Sequence, residues 1–197
     1  MKKFIIYRIG IISVESINEF KNLEILSKKL KKKINCIIRI NPDQLDIKSS
    51  IKMMGVASQF GIDSQNFLKN YRVFNSKNIN ILGFHFYSAS NINSPKDLQK
   101  LFFYCIELSK KMESFLKIKI KLLNLGGGFA SPYGKKRKKI NYASIKKPLN
   151  DKLIKTFGKE KIKSIKIIFE SGRYLVGTSG GLICKVIDKK ISKKEKF

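Results

Sequence analysis

Short continuous apolar runs alternate along this chain with stretches in which apolar residues recur three or four positions apart. The runs predict buried strands, and the spaced residues predict helices that each bury one face. Near-continuous apolar strands that alternate with helices are typical of a parallel sheet in an α/β fold. The predicted strands are residues 11–14, 36–40, 79–86, 118–125 and 165–170.

Capping residues mark the expected helix starts. Ser16 and Glu19 form a capping box before an apolar stripe that runs to Leu30. Ser94 followed by Pro95 opens the clearest helix, because proline fits the first helical position. Ser64 is expected to cap a shorter helix, and a weak helix is expected over residues 149–157.

The pattern changes near Val176. Residues 177–181 are rich in glycine, and residues 182–187 predict a strand that belongs to a different unit. We therefore expect an α/β domain over residues 1–176 and the start of a second domain over residues 177–197.

Polar and glycine residues gather where the predicted strands end. They are Arg39, the segment from His85 to Ser90, the triplet Gly126-Gly127-Gly128 and the segment from Glu170 to Arg173. Barrels and open α/β sheets both place their sites at the carboxyl ends of parallel strands. We therefore expect a site at this edge of the sheet.

Two of these strand ends point to an anionic ligand. Backbone N–H groups in glycine turns can bind a phosphate, although a tight turn also explains the triplet. At the strand end from Glu170 to Arg173, the Glu170 carboxylate can hold a protonated ring nitrogen while the Gly172 N–H and the Arg173 guanidinium hold an anion. A surface ion pair between Glu170 and Arg173 is the alternative.

His85 is the only histidine, and it is interpreted either as a core or lining residue or as a base. Tyr87 lies on the same side of the strand, and Ser90 follows just beyond it. An aromatic ring and a hydroxyl in this arrangement can stack on a planar ligand and bind its phosphate. One histidine and scattered cysteines favour neither a metal site nor Ser-His-Asp chemistry.

The net charge of +28 by itself suggests a nucleic-acid-binding protein. Only 5 of the 42 cationic residues are arginines, however, whereas proteins that read bases rely on arginine forks. The lysine excess accompanies isoleucine and asparagine, whose codons are also AT-rich. We therefore attribute the charge to base composition and interpret residues 135–139 as a solvated loop.

Several absences in the sequence set the class of protein. No apolar run reaches the ~18 residues of a membrane span, and the first residues lack a signal-peptide pattern. Cys36, Cys105 and Cys184 are far apart and form no zinc or disulfide pattern. These features predict a cytoplasmic protein.

Five segments follow one another at the strand ends: Arg39-Ile-Asn-Pro-Asp43, Ser58-Gln-Phe-Gly-Ile62, Gly83-Phe-His-Phe-Tyr-Ser-Ala-Ser90, Leu123-Asn-Leu-Gly-Gly-Gly128 and Glu170-Ser-Gly-Arg173. In this order they resemble the barrel-strand motifs of the pyridoxal-phosphate-dependent decarboxylases, which include diaminopimelate, ornithine and arginine decarboxylases. The resemblance implies a partial (β/α)8 TIM barrel, about the last five strands, with the start of a C-terminal β domain. It also implies pyridoxal 5'-phosphate as cofactor and removal of an amino-acid carboxylate as carbon dioxide.

The resemblance also implies roles for individual residues. Tyr87 stands where the family usually has a histidine stacked on the cofactor ring, and Glu170 matches the acid that pairs with the pyridinium nitrogen. Arg39 and His85 are expected to line the site. The phosphate-site positions are matched by Ser90, Gly126, Gly127, Gly128, Gly172 and Arg173.

Two departures bear on the substrate and on catalysis. Gln59 stands where diaminopimelate decarboxylases usually have lysine, and residues 53–63 resemble relatives that act on aminoacyl groups held by an acyl carrier protein. The substrate is therefore a free amino acid or a carrier-bound one. The family's Schiff-base lysine, from a Lys-Ala-Asn-like motif, has no counterpart here, so no catalytic residue is expected on the chain.

By this resemblance the chain begins near the fourth barrel strand and stops as the second domain begins. The expected partner is a second copy, as in the full-length family, or a complementing fragment, with no nucleic acid or membrane involved. The alternative is a non-catalytic remnant that binds the cofactor or a partner.

Five strands of a closed barrel leave an open sheet edge. We therefore expect the chain alone to be poorly soluble or unstable. Thermal unfolding followed by circular dichroism checks this, and a sharp transition of a soluble monomer would contradict it.

Overall fold

The structure is a computed structural model and describes residues 10–43, 51–52, 59–87, 89–132, 138–181, 183–192 and 195–196. The strands are β1 (Ile12–Val14), β2 (Ile34–Asn41), β3 (Ile51–Lys52), β4 (Ile62–Asp63), β5 (Ile79–Phe86), β6 (Ala89–Ser90), β7 (Leu122–Asn124), β8 (Lys166–Ile168), β9 (Ile191–Ser192) and β10 (Glu195–Lys196). The α-helices are α1 (Ile17–Leu30), α2 (Ser64–Asn70), α3 (Pro95–Leu116), α4 (Lys146–Phe157), α5 (Lys159–Ile162) and α6 (Arg173–Val176). Two 3-10 turns lie at Tyr71–Phe74 and Ala143–Ile145. The expectations for residues 53–58 and 135–137 lie outside the described residues.

One parallel sheet has the order β1-β2-β5-β7-β8, and β4 pairs with the carboxyl end of β2. This order follows the chain, as helical crossovers between parallel neighbours require. All five predicted apolar runs contribute strands to this sheet, and β5 has the predicted bounds. The parallel α/β architecture expected from the sequence is therefore confirmed, and every strand of this sheet brings its carboxyl end to one edge.

The core is one continuous apolar cluster between the sheet and the helices. Phe20, Phe67 and Phe74 pack ring against ring, and Phe67 meets Phe84 of β5 edge to face with centroids 5.9 Å apart. Each of these rings is at most 2% exposed. Complete burial of one such side chain stabilises the fold by about 1.5–3 kcal/mol, so this cluster fixes β5 beneath the helices.

The expected helix start at Ser94 forms as predicted, and the expected capping box at Ser16 forms in part. The Ser94 hydroxyl accepts the Asp97 N–H at 3.2 Å, with Pro95 at the first position of α3. The Ser16 hydroxyl accepts the Glu19 N–H at 3.0 Å, although the Glu19 carboxylate accepts from the N–H of Glu15 instead of Ser16.

The expected Ser64 cap was wrong. Asp63 holds the N-cap position of α2, and the Ser64 hydroxyl instead donates to the Asp43 carboxylate at 2.8 Å. Asp43 follows β2, so Ser64 ties the start of α2 to the carboxyl end of the sheet. The cap is absent because α2 already begins at Ser64, which puts Asp63 and not Ser64 at the N-cap position.

Two predicted strands differ from the structure. β7 begins at Leu122 rather than at residue 118, and the Ile120 N–H donates to the Glu113 carboxylate at 2.9 Å rather than to a neighbouring strand. Residues 183–187 are not a strand: Ile183 is fully exposed, and no described strand lies beside this segment to satisfy its backbone. Residue 182 lies outside the described part, and the division into two domains stays a prediction.

Among the described residues, no helix combines the length and the apolar character needed to cross a bilayer.

Candidate functional site

A cavity of about 240 Å³ opens at the carboxyl edge of the sheet, where the ends of β5, β7 and β8 meet. Most of the expected cofactor-binding residues line it, together with Asn91 and Phe129, which the sequence analysis did not select. The expected residues on its wall are Tyr87, Ser90, Gly128, Glu170, Gly172 and Arg173. Residues from distant parts of the chain therefore meet at one place.

Tyr87 and Ser90 act as one unit at the end of β5. The Tyr87 hydroxyl lies 3.0 Å from the Ser90 Oγ, within hydrogen-bond distance. Ser90 belongs to β6, the short strand that follows Tyr87. This contact fixes an aromatic ring and a hydroxyl side by side, which suits a ligand with both a planar ring and an oxyanion.

Glu170 is held in place by both its backbone and its side chain. Its N–H donates to the Gly126 carbonyl at 2.8 Å, and its Oε1 accepts from the Asn124 Nδ2 at 2.8 Å. The His85 Nε2 lies 3.1 Å from the same Oε1, but the approach is not aligned as a hydrogen bond. The carboxylate is therefore fixed at the rear of the cavity, with its side chain 40% exposed.

His85 lies behind Glu170 and outside the cavity wall. Its Nδ1 is 3.3 Å from the Ser13 hydroxyl at the end of β1. Burial lowers the pKa of the imidazole below its usual value, Glu170 raises it in part, and Arg39 lowers it again. A neutral imidazole at physiological pH follows. His85 is not among the residues that line the cavity, which places it behind the site rather than in reach of a ligand there.

Arg39 also lies behind the cavity, at the end of β2. Its Nη1 is 2.7 Å from the Glu15 Oε1, and the other oxygen of Glu15 accepts the Gly61 N–H at 3.1 Å. The guanidinium carbon is 6.0 Å from the centroid of the Tyr87 ring. Arg39 therefore lies near the Tyr87 ring but is not among the residues that line the cavity.

The glycine triplet packs directly against the Glu170 backbone. A Cβ at Gly127 would collide with the Glu170 carbonyl oxygen, so no side chain fits there. The next residues are fixed by Tyr142, whose hydroxyl donates to the Ile92 carbonyl at 2.6 Å and accepts the Ala130 N–H at 2.9 Å. Gly128 reaches the cavity, whereas Gly126 and Gly127 shape the turn behind it.

Sequence reasoning missed Asn124, Glu15 and Ser13. All three lie within two residues of a strand's carboxyl end, which is the position that selected the other site residues. Asn124 was inside a quoted motif, but asparagine after two leucines gives no signal of its partner. Its contact with Glu170 joins residues 46 positions apart.

The described residues contain no group of three or more His, Cys, Asp or Glu side chains placed to hold a metal ion.

Residues 1–177 match the pyridoxal-binding domain of the pyridoxal-dependent decarboxylases. The chain belongs to this family. The cofactor expected from the sequence, pyridoxal phosphate, is therefore confirmed as that of the family, as is the expected relation to its decarboxylases.

Curated relatives of this pyridoxal-dependent decarboxylase domain include enzymes with different substrates. The chain is 32% identical over 195 residues to a diaminopimelate decarboxylase of Bacteroides thetaiotaomicron, which covers 97% of the chain and 49% of the relative. It is 30% identical over 188 residues to the L-glutamyl-[BtrI acyl-carrier protein] decarboxylase of Niallia circulans, covering 94% and 44%. The chain thus spans about half the length of the curated relatives it matches.

Solved structures of the family confirm the barrel fold. Diaminopimelate decarboxylase of Helicobacter pylori, complexed with L-lysine, superposes with a TM-score of 0.77 at 22% identity, over 99% of this chain and 47% of that one. The corresponding enzyme of Methanocaldococcus jannaschii gives 0.72 at 25% identity, over 100% and 46%. The parallel sheet described above is therefore part of a TIM barrel.

The residues present fit a pyridoxal phosphate. The cavity wall offers a hydroxyl from Ser90 and a guanidinium from Arg173, both suited to an oxyanion, and a carboxylate from Glu170. A Cβ at Gly172 would meet no atom within 4 Å, so the backbone there is open to a ligand. Anion donors and a separate carboxylate on one wall match a ligand with a phosphate and a protonated ring nitrogen.

Proposed function

We propose that this chain is the cofactor-binding part of a pyridoxal-phosphate-dependent amino-acid decarboxylase. The observation that carries the proposal is the meeting of Tyr87, Ser90, Glu170 and Arg173 on one cavity wall. Each has the chemistry that one part of the cofactor needs. Tyr87 and Ser90 follow β5, whereas Glu170 and Arg173 follow β8, so the residues come from two separate strand ends.

Different residues of the chain would each hold one part of the cofactor. Tyr87 stacks on the ring, but unlike a histidine it brings no positive charge. Ser90, Arg173 and the N–H groups of the glycine turns hold the phosphate. Glu170 accepts a hydrogen bond from the ring nitrogen and keeps it protonated. When bound, the protonated ring of the cofactor accepts the electron pair left behind as carbon dioxide departs.

The proposed substrate is an amino acid that loses its carboxylate. It is either a free amino acid, as for diaminopimelate decarboxylase, or one held by an acyl carrier protein, as for the Niallia circulans relative. A second copy of the chain or a complementing fragment is the proposed partner, and the cytoplasm is the proposed location. Because the Schiff-base lysine has no counterpart on this chain, the assay includes a complementing fragment that supplies it. Carbon dioxide release from diaminopimelate and from a glutamyl carrier protein, each with added pyridoxal phosphate, then distinguishes the two substrate classes.

Arg173→Gln is expected to weaken binding of 4-deoxypyridoxine 5'-phosphate about tenfold or more, because a hydrogen bond to a charged group contributes about 1.5–3 kcal/mol. This analogue lacks the aldehyde and so does not react with the many lysines. Isothermal titration calorimetry at physiological salt measures the affinity.

The matched control is Arg72→Gln, which removes the same charge at an exposed position on the 3-10 turn after α2. It is expected to leave the affinity unchanged. Equal losses in both variants, or equal affinity for the analogue without its phosphate, would mean that the overall charge of +28 and not the cavity attracts the ligand.

A further inference from the structure

We infer that Asn124 is a positioning residue for Glu170, fixing the carboxylate in the orientation that meets the ring nitrogen of the cofactor. The role of Glu170 toward the ring rests on the proposed function, whereas the contact between Asn124 and Glu170 does not. Asn124 is the last residue of β7 and is 6% exposed.

The orientation of the Asn124 amide follows from its other contact. Its Oδ1 accepts the Gly126 N–H at 2.9 Å, and a backbone N–H can only donate. The amide oxygen must therefore face Gly126, which leaves the Nδ2 hydrogens facing the Oε1 of Glu170 at 2.8 Å. In the reversed orientation the Nδ2 hydrogens would face the Gly126 N–H, and the Oδ1 would face the Glu170 carboxylate oxygen. Neither contact would be a hydrogen bond.

The arrangement is rigid because the backbone holds both partners. Asn124 lies opposite Ile168 in the β7–β8 register, and the Leu125 N–H donates to the Ile168 carbonyl at 2.9 Å. The Glu170 N–H then donates to the Gly126 carbonyl. The backbone thus fixes where both side chains start, and the directed donor on Asn124 orients the Glu170 carboxylate.

His85 is the neighbour that reports on this contact. It lies opposite Asn124 in the β5–β7 register, with its Nε2 at 3.1 Å from the Glu170 Oε1. The charged groups that act on it are Glu170, Arg39 and Glu15, and the Ser13 hydroxyl faces its Nδ1. Because the chain has one histidine, its ring C–H signal in a proton NMR titration needs no assignment.

The experiment follows the His85 titration in the ligand-free chain. Glu170→Gln removes the opposite charge and is expected to lower the His85 pKa by about one unit or more. Asn124→Ala frees the carboxylate without adding bulk and is expected to lower it by about half a unit or more. Asn80→Ala, which removes an amide bonded to Asn35 at the far end of β5, is expected to have no effect.

A double-mutant cycle separates positioning from local packing. If Asn124 acts through Glu170, Asn124→Ala no longer shifts the His85 pKa in the Glu170→Gln background. The same shift in both backgrounds, or no shift in either, would overturn the inference. Asn124→Leu gives a second variant of similar volume for the same cycle should the alanine variant not fold.

A second readout uses the aldehyde-free analogue, whose ultraviolet absorption reports whether its ring nitrogen is protonated. Asn124→Ala is expected to reduce the ratio of protonated to unprotonated bound ring about tenfold, and Asn80→Ala to leave it unchanged. An unchanged ratio in Asn124→Ala would count against the inference. Failure of the wild-type chain to bind the analogue would overturn the proposed function, while the His85 cycle would still decide the role of Asn124.

Discussion

Replacing Gly83 with alanine is expected to abolish folding of the chain, with a loss of more than about 4 kcal/mol. The reason is a direct backbone collision: a Cβ at Gly83 would meet the Leu122 carbonyl oxygen on the neighbouring strand. Its φ of +152° also lies outside the range that other residues adopt comfortably. A loss of this size is a large part of the total stability of an ordinary domain.

Gly83 is required because β5 contains a bulge. Cys36 lies opposite Ile81, but the next residue, Ile37, lies opposite Gly83, so Leu82 is an extra residue in β5. The Leu82 carbonyl accepts the Lys121 N–H at 2.8 Å, which fixes this irregularity against β7. Since a shift of one residue exchanges the two faces of a strand, the bulge decides which way His85 and Tyr87 point.

Circular dichroism at a temperature where the wild-type chain is folded measures the effect of Gly83→Ala. Gly180→Ala is the matched control, because a Cβ there would meet no atom within 4 Å. We expect the control to unfold like the wild type. If Gly83→Ala also unfolded at the wild-type temperature, the close approach of β5 and β7 would be wrong.

Glu113→Ala is expected to destabilise the chain by about 3 kcal/mol. The Glu113 carboxylate lies near the end of α3 with only 5% of its side chain exposed. It accepts the Ile120 N–H at 2.9 Å, pairs with Lys110 at 3.0 Å and also pairs with Lys161 of α5. Removing it leaves a buried N–H and two ammonium groups without their acceptor, and denaturant unfolding measures the loss.

Glu107→Ala is the control for Glu113→Ala. Glu107 is on the same helix and pairs with Lys152 of α4, but its side chain is 61% exposed. An exposed pair of this kind contributes about 0–1 kcal/mol, so a much smaller loss is expected. Equal losses of unfolding free energy in the two variants would show that burial of Glu113 does not increase its contribution to stability.

The contribution of Glu113 also depends on pH. Burial alone would raise the pKa of this carboxyl, but the hydrogen bonds from Lys161, the Ile120 N–H and Lys110 outweigh it and hold the pKa below its ordinary value of 4.5. The stabilisation is therefore present above about pH 4.5 and is lost as the pH falls through the lower folded-state value. Glu113→Gln is expected to remove this part of the acid sensitivity, measured as denaturant midpoints from neutral pH downward.

Local signals in the sequence predicted much of the fold. The largely apolar run of β5 and the Ser94-Pro95 start of α3 needed no tertiary information, because strand burial and helix capping are local. The strand predicted from residue 118 was too long, since β7 begins at Leu122, and Glu113 on the preceding helix takes the N–H of Ile120. The Ser64 cap failed because the helix begins one residue earlier than expected, so that Asp63 holds the N-cap position and the Ser64 hydroxyl is left to donate to Asp43.

The site could be predicted in its parts but not in its connections. The cavity residues could be recognised because each lies after an apolar run and carries a polar or charged group unsuited to a core. They are Tyr87, Ser90, Glu170 and Arg173. The links that orient them are long-range: Asn124 to Glu170, Ser13 to His85 and Glu15 to Arg39. The sequence gives no signal of the bulge at Leu82 either, because leucine at this position also fits an ordinary strand.

The bond between the Glu170 N–H and the Gly126 carbonyl has a consequence for ligand choice. It joins the glycine turn to the backbone of Glu170, and the Asn124 amide holds the Glu170 carboxylate at 2.8 Å, so main chain and side chain together fix the gap between the turn and the carboxylate. An anion bound at the turn and a ring nitrogen bound at Glu170 must therefore be separated by one fixed span. This span selects ligands by length, and an analogue with one additional methylene between ring and phosphate would reach only one of the two ends.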